Sequence, residues 1–237
     1  MIAVPKINGV LLVNSYCGSE RVESMGKQVK DFSENRAGYA LVKRILDIVF
    51  AAVALVLLLV PMVLIGLAVY MDDPGKVIFA QYRIGRYGKA FVLYKFRTMR
   101  RDAPRYVAAA ELLAPENYIT NVGRFLRRTS LDELPQLINI LLGDMSLVGP
   151  RPLIPQEKYI HRLREQNGVY RVRPGMTGLA QINGRDKLLP DEKVRYDVAY
   201  LNHFGCRQDI SIIFATLPGV LSGDGILEGS VARDRRE

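Results

Sequence analysis

The sequence lacks tryptophan and contains only two cysteines and two histidines among its 237 residues. Cys17 and Cys206 are far apart, so they form neither a metal-spaced pair nor a disulfide framework, which suits a reducing compartment. His161 and His203 have no partner at a metal-ligand spacing, so we expect them to be structural or surface residues. These absences argue against a site built on cysteine or histidine ligands.

Acidic residues are outnumbered, because 24 Asp and Glu face 33 Lys and Arg, which gives a formal net charge of +9. This excess predicts an anionic partner, either nucleic acid, anionic lipid or a phosphorylated substrate. No basic stretch is interleaved with aromatic residues in the manner of single-strand binders, so nucleic acid is not the expected partner. The sequence also has no internal repeat, phosphate-binding loop or dinucleotide fingerprint.

Residues 48–71 contain no charge, and at about 1.5 Å per residue this run is long enough to cross a hydrocarbon core. It begins too far from the N-terminus for an ordinary signal peptide. Pro61 lies in its middle, where it removes a backbone hydrogen bond and bends a helix. Positive charge prefers the cytoplasmic side, and basic residues flank the run on both sides: Lys43, Arg44, Lys76, Arg83, Arg86 and Lys89. We therefore expect a re-entrant helix; a kinked span and a buried core helix are the alternatives.

The patterns predict an α+β fold in which a proline-broken, re-entrant membrane helix (43–72) packs on a small cytoplasmic domain (73–205). That domain is expected to contain helices and a short β-hairpin, with strands over 77–82 and 91–99. Alternation places Lys95 and Arg97 on one strand face, where they could bind a phosphate chain or simply face solvent. Residues 1–42 would form an N-terminal appendage of unknown role, and 206–237 a membrane-associated or disordered tail.

Two adjacent carboxylates, Asp132 and Glu133, precede an apolar run at helical spacing that ends at Gly143. Ser130 and Glu133 have the spacing of a capping box, and Pro135 suits a first helical turn. A carboxylate at a helix N-terminus should stay ionised, and it could then attack phosphorus or bind a metal. The simpler alternative is that the pair only caps the helix.

Arginines accompany these carboxylates in the sequence. Arg127 lies just upstream, and Arg151 lies between Pro150 and Pro152, which restrict the backbone around it. A guanidinium on such a rigid turn suits bidentate binding of a phosphate. Arg185 follows a glycine in a turn-rich segment, where backbone and guanidinium groups could bind a nucleotide.

Eight motifs in this order resemble those of the bacterial sugar transferases, the monotopic phosphoglycosyl transferases: KRILD (43–47), YKFRTM (94–99), SLDELPQ (130–136), GDMS (143–146), GPRP (149–152), RPG (173–175), TGLAQ (177–181) and NGR (183–185). The resemblance implies transfer of a sugar 1-phosphate from a UDP-sugar to polyprenol phosphate at the cytoplasmic face of the bacterial inner membrane. UMP would leave, and the lipid-linked sugar would begin a capsule, lipopolysaccharide or exopolysaccharide. Inner-membrane lipid and a possible homodimer are the further partners implied.

The resemblance also implies roles for individual residues. Asp132 would be the nucleophile that forms a phosphosugar-aspartyl intermediate, and Glu133 would coordinate Mg²⁺. Arg127 and Arg151 would hold phosphate groups, and Lys95 would support the active site.

Arg185 and Asp197 resemble the family's pair on the nucleotide side. One departure concerns the membrane helix, because the residue before Pro61 is Val60 where the family usually has serine.

A competing hypothesis is a non-catalytic, membrane-anchored basic module that binds lipid or a protein partner. A second alternative keeps catalysis but uses water as the acceptor.

Overall fold

The computed structural model describes residues 37–103, 115–184 and 187–222. Most of the predicted appendage, Arg185 and residues 223–237 lie outside these ranges. Short 3₁₀ turns over Arg86–Gly88, Pro115–Tyr118, Leu131–Glu133 and Val169–Arg171 connect some of the elements. The helices and strands are α1 (Ala37–Asp72), β1 (Ile78–Ile84), β2 (Ala90–Phe96), α2 (Asn121–Thr129), α3 (Gln136–Leu142), β3 (Ser146–Val148), α4 (Lys158–Gln166), β4 (Gly175–Thr177), α5 (Leu179–Ile182), α6 (Pro190–Asn202) and α7 (Cys206–Ser222).

The described residues contain two small sheets among these helices. Strands β1 and β2 form an antiparallel hairpin, with Ile78 opposite Phe96 and Ile84 opposite Ala90. Strands β3 and β4 pair in parallel. The predicted α+β class and the predicted hairpin are therefore confirmed, with strand ends that differ by a few residues from those expected.

Helix α1 is long and apolar enough to cross a membrane by length and composition. Pro61 lies inside it, and the helix continues through the proline from Ala37 to Asp72. One face packs on the rest of the chain, where Ala51 and Val69 are buried, whereas most of its other apolar side chains are exposed. Its path through a bilayer, re-entrant or spanning, stays a prediction.

Both ends of α1 are bonded to the same domain. Near its start, the Lys43 ammonium lies 2.6 Å from a carboxylate oxygen of Asp209, and Asp47 accepts a 3.1 Å hydrogen bond from the backbone N–H of Leu147. At its other end, the Asp72 carboxylate accepts a 2.9 Å hydrogen bond from a backbone N–H in the first turn of α2. The helix is thus held along its length rather than only at one end.

Helix α3 packs between α1 and the hairpin, and Asn139 fixes its distance from β2. This side chain is fully buried, donates a 2.7 Å hydrogen bond to the Val92 carbonyl and accepts a 3.0 Å bond from the Tyr94 N–H. Gly143 ends α3 in the left-handed conformation, with φ of 92°, as the sequence predicted. These contacts hold the turn before α3 close to Lys95 on β2.

The first turns of helix α7 pack against the rest of the described chain. Asp209 and Ile212 are buried there, whereas Ile210, Ile213 and Phe214 are exposed. Its outward surface is therefore apolar. Membrane contact by this surface stays a prediction.

Candidate active site

The two adjacent carboxylates lie on a 3₁₀ turn between α2 and α3. Ser130 ends α2 in the left-handed conformation with φ of 56°, and its side chain makes no capping hydrogen bond to the turn. Pro135 occupies the N-cap position of α3, again without a side-chain cap. The predicted capping box is therefore wrong, and helix capping does not account for the pair.

Asp132 is buried with only 7% of its surface exposed. Burial, followed by the negative charge of Glu133, raises the pKa of this carboxyl to about 6. Lys95, Arg127 and Arg151 oppose that shift and favour the ionised form. We expected this carboxyl to stay ionised; desolvation opposes the ionised state and raises its pKa. It is nevertheless mostly ionised at pH 7.

Lys95 projects from β2 into the same cluster. Burial lowers the pKa of its ammonium to about 8, and the neighbouring cations Arg127 and Arg83 act in the same direction, whereas Asp132 opposes them. Its Nζ also lies 5.4 Å from the centroid of the Phe79 ring. The lysine and the buried carboxylate are thus coupled partners in one site.

Two predicted arginines join this cluster from different elements. Arg127, in the last turn of α2, donates a 2.9 Å hydrogen bond from Nε to the hydroxyl of the buried Thr98. Arg151 lies with its Nη1 3.3 Å from Oε1 of Glu133, and its side chain is 46% exposed. One cation is therefore fixed and the other is partly open to solvent, where a phosphate could reach it.

Asp197 lies behind the site rather than on its open side. It is fully buried and accepts two hydrogen bonds from Arg164, 2.9 Å from Nε and 2.7 Å from Nη2. The third nitrogen of Arg164 donates a 2.8 Å bond to the backbone carbonyl of Arg151. The pair thereby fixes the proline-flanked turn, and its nucleotide role stays a prediction.

No local pattern indicated a role for Arg164, because its partner Asp197 lies 33 residues away in the chain. Arg97, predicted beside Lys95, lies past the end of β2 and pairs with Asp73, with Nη1 3.4 Å from a carboxylate oxygen. Its guanidinium also donates to the Asp73 backbone carbonyl. The structure thus places Arg97 at the end of α1, and Arg185 lies outside the described residues.

The two carboxylates suit a hard dication. In the described part of the chain no three His, Cys, Asp or Glu residues cluster as a protein cage. Mg²⁺ does not need such a cage, because it keeps waters and binds one or two carboxylates together with substrate phosphates. The repulsion between Asp132 and Glu133, seen in the raised pKa of the former, is what a dication would relieve.

The chain is similar to several known proteins. The chain is 38% identical over 198 residues to a UDP-glucose:undecaprenyl-phosphate glucose-1-phosphate transferase of Caulobacter vibrioides, covering 80% of this chain and 73% of that protein. It is 38% identical over 240 residues to an undecaprenyl-phosphate galactose phosphotransferase of Salmonella typhimurium, covering 94% of this chain but 49% of that protein. It is 36% identical over 201 residues to the exopolysaccharide production protein ExoY of Rhizobium meliloti, covering 78% of this chain and 88% of that protein. A family model described as bacterial sugar transferase matches residues 38–223, and the chain belongs to this family.

Proposed function

We propose that this protein transfers a sugar 1-phosphate from a UDP-sugar to a polyprenol phosphate, releasing UMP, as the first membrane step in the synthesis of a bacterial glycan. The names of its relatives support the acceptor, the UDP-sugar donor and a role in exopolysaccharide production. The observation that carries the proposal is the buried carboxyl of Asp132, surrounded by three cations and adjacent to Glu133.

In the first step, a carboxylate oxygen of Asp132 attacks the sugar-bearing phosphorus of the donor. The bond from this phosphorus to the bridging oxygen breaks, and UMP leaves with the electron pair. A partly desolvated carboxylate with a pKa of about 6 is both ionised at neutral pH and more nucleophilic than a fully hydrated one. Lys95, Arg127 and Arg151 stabilise the negative charge that the phosphates carry.

In the second step, an oxygen of the polyprenol phosphate attacks the same phosphorus. The bond between Asp132 and phosphorus breaks, which restores the carboxylate and yields a polyprenyl diphosphate sugar. Glu133 would hold Mg²⁺, which when bound neutralises the diphosphate and stabilises the leaving UMP. Two steps through one site predict ping-pong kinetics.

The membrane location follows from the lipid acceptor and from α1. Both ends of α1 contact the catalytic part of the chain, which supports a re-entrant helix with both ends on the cytoplasmic face of the inner membrane. The carboxylate cluster would then lie near the bilayer surface, where the water-soluble donor and the lipid acceptor can both reach it.

The test compares Asp132→Asn with Asp102→Asn, a variant in an exposed carboxylate that forms a salt bridge with the exposed Arg100. With a UDP-sugar, polyprenol phosphate and Mg²⁺, we expect UMP release to be lost in the first variant and retained in the second. Incubation of the wild type with donor alone should add a phosphosugar mass to the peptide that contains Asp132. Normal turnover of Asp132→Asn would refute the assignment of the nucleophile. Labelled sugar that stays in the aqueous phase would instead indicate water as the acceptor.

A further inference from the structure

A second cluster of cations lies around the start of α1, away from the carboxylate pair. A cavity there is bounded by α1, by the turn between β1 and β2, by the segment before β4 and by α6. We call it the basic pocket, because five cationic residues line it: Lys43, Arg44, Arg86, Arg171 and Arg173.

The lysine of the basic pocket is neutralised within the protein. Its ammonium lies 2.6 Å from Asp209 and 3.9 Å from Asp47, and both of these carboxylates are buried. One ammonium offsets one of these two carboxylates, so a single negative charge remains against the four arginines of the pocket lining. The arginines must therefore be considered separately.

Three arginines of the pocket bond to neutral backbone carbonyls. Arg44 donates to the carbonyls of Ile140 and Leu141 at 2.6 and 3.0 Å, near the C-terminal end of α3. Arg173 donates from Nε to the Gly143 carbonyl at 2.8 Å, and Arg86 donates from Nε to the Arg171 carbonyl at 2.8 Å. These bonds orient the guanidinium groups, but carbonyl dipoles do not cancel their charge.

The three guanidinium groups also repel one another. Burial lowers the pKa of Arg173, and the charges of Arg86 and Arg44 lower it further, whereas the nearby Asp47 opposes this shift. Folding thus holds like charges together at an electrostatic cost that a bound anion would offset. Capping of the α3 carbonyls explains Arg44 and Arg173, but it does not explain Arg86, which comes from the hairpin turn.

The pocket is distinct from the active site and borders the apolar surface of α1. Arg86 lies in the hairpin turn, whereas Lys95 lies five residues along β2 from Ala90, which is about 17 Å at ~3.3 Å per residue. Along α1, the pocket residues Lys43 and Arg44 are flanked by exposed apolar side chains, and α3 contributes one more exposed leucine. These side chains are Leu41, Val42, Ile45 and Leu46 of α1 and Leu142 of α3. An anion here would lie where a bilayer's headgroups meet its acyl chains.

We propose that the basic pocket binds a phosphate group, supplied by the headgroup of a membrane phospholipid whose acyl chains lie along the exposed side of α1. Guanidinium groups suit this ligand because they offer paired N–H donors to phosphate oxygens. Basic pockets beside membrane helices are also suited to anionic headgroups. The bound headgroup would hold the start of α1 at the membrane surface.

The experiment measures lipid and phosphate binding to the full-length protein by native mass spectrometry from detergent micelles. The probes are dioleoyl phosphatidylglycerol, inorganic phosphate and dioleoylglycerol, which has the same acyl chains without the phosphate. Arg86→Gln removes a pocket cation that bonds to the end of the 3₁₀ turn Val169–Arg171 rather than to α3, and Arg86→Lys keeps its charge. Arg162→Gln, in an exposed residue of α4, is the matched control, and Arg151→Gln reports binding at the active site.

We expect Arg86→Gln to weaken phosphatidylglycerol binding by roughly tenfold, the loss of about one charge-assisted hydrogen bond. Arg86→Lys should restore most of it, and Arg162→Gln and Arg151→Gln should resemble the wild type. Phosphatidylglycerol binding tighter than both inorganic phosphate and dioleoylglycerol would identify the headgroup as the ligand, whereas equal binding of phosphatidylglycerol and either of these probes would overturn the lipid assignment. Three results would overturn the proposal. Phosphatidylglycerol binding could weaken equally in Arg86→Gln and Arg162→Gln, it could weaken in neither variant, or it could weaken only in Arg151→Gln.

Discussion

The buried carboxyl of Asp132 should make the protein less stable at neutral pH, and Asp132→Asn should remove that cost. Its pKa is raised from 3.8 to about 6, so the folded protein binds this proton more tightly than the unfolded chain does. At about 1.4 kcal/mol per pKa unit, the ionised carboxyl costs roughly 3 kcal/mol of folding free energy above pH 6. Asparagine has a similar shape and carries no charge.

The sign of the pH dependence is fixed by the direction of the shift. The cost is absent below the unfolded pKa, grows as the pH rises from about 4 to about 6, and is complete above that range. We therefore expect Asp132→Asn to be more stable than the wild type by up to about 3 kcal/mol at pH 8, and by only about 1 kcal/mol at pH 4.5. For a chain of this length, the larger value corresponds to a rise in Tm of roughly 5–10 °C.

Thermal unfolding in detergent micelles, followed by circular dichroism without divalent cations, measures this difference. Asp102→Asn is the control, because its carboxylate is 59% exposed and should show no gain at either pH. Added Mg²⁺ should narrow the gap, because the proposed ion would stabilise the wild-type carboxylates. The assigned cost of the buried carboxyl is refuted if Asp132→Asn is no more stable than the wild type at pH 8, or if its advantage does not shrink on acidification.

Three further predictions test the surroundings of the site. Glu133→Gln removes a charge that raises the pKa of Asp132, so the acidic limb of the pH–rate profile, expected near pH 6 in the wild type, should move to lower pH; an unchanged limb would contradict the coupling. Asp197→Asn leaves the buried Arg164 without its carboxylate and should cost about 3–5 kcal/mol in the free energy of unfolding, whereas a loss below 1 kcal/mol would argue against a buried pair. Asn139→Ala leaves two β2 backbone groups unpaired and should cost about 2–4 kcal/mol by the same measurement, with a neutral result arguing that water replaces the amide.

Local patterns predicted the hairpin and α3 because both depend on short-range periodicity. Alternation over β2 and the stop at Gly143 are properties of neighbouring residues, and both agree with the structure. The capping box was wrong because the same Ser-x-x-Glu spacing also fits a 3₁₀ turn between two helices. Ser130, in the left-handed conformation, closes α2 instead of opening α3.

Tertiary packing explains what the sequence could not predict. Alternation grouped Arg97 with Lys95, but the strand ends at Phe96, so alternation no longer applies to the next side chain. That arginine instead meets Asp73 at the end of α1. The raised pKa of Asp132 likewise depends on burial by elements distant in sequence, which a single motif does not reveal.

The contacts of α1 bear on where the active site would lie relative to a membrane. A straight helix of 36 residues is about 54 Å long at 1.5 Å per residue, whereas a hydrocarbon core is about 30 Å thick. If α1 crossed the bilayer fully, its two ends would lie on opposite sides, yet Lys43 and Asp72 are bonded to the same domain. The exposed apolar side chains run along both halves of the helix, so both halves need a lipid environment. The predicted re-entrant path, which would enter and leave the same face with a bend at Pro61, would meet both requirements and would bring the carboxylate cluster to the membrane surface.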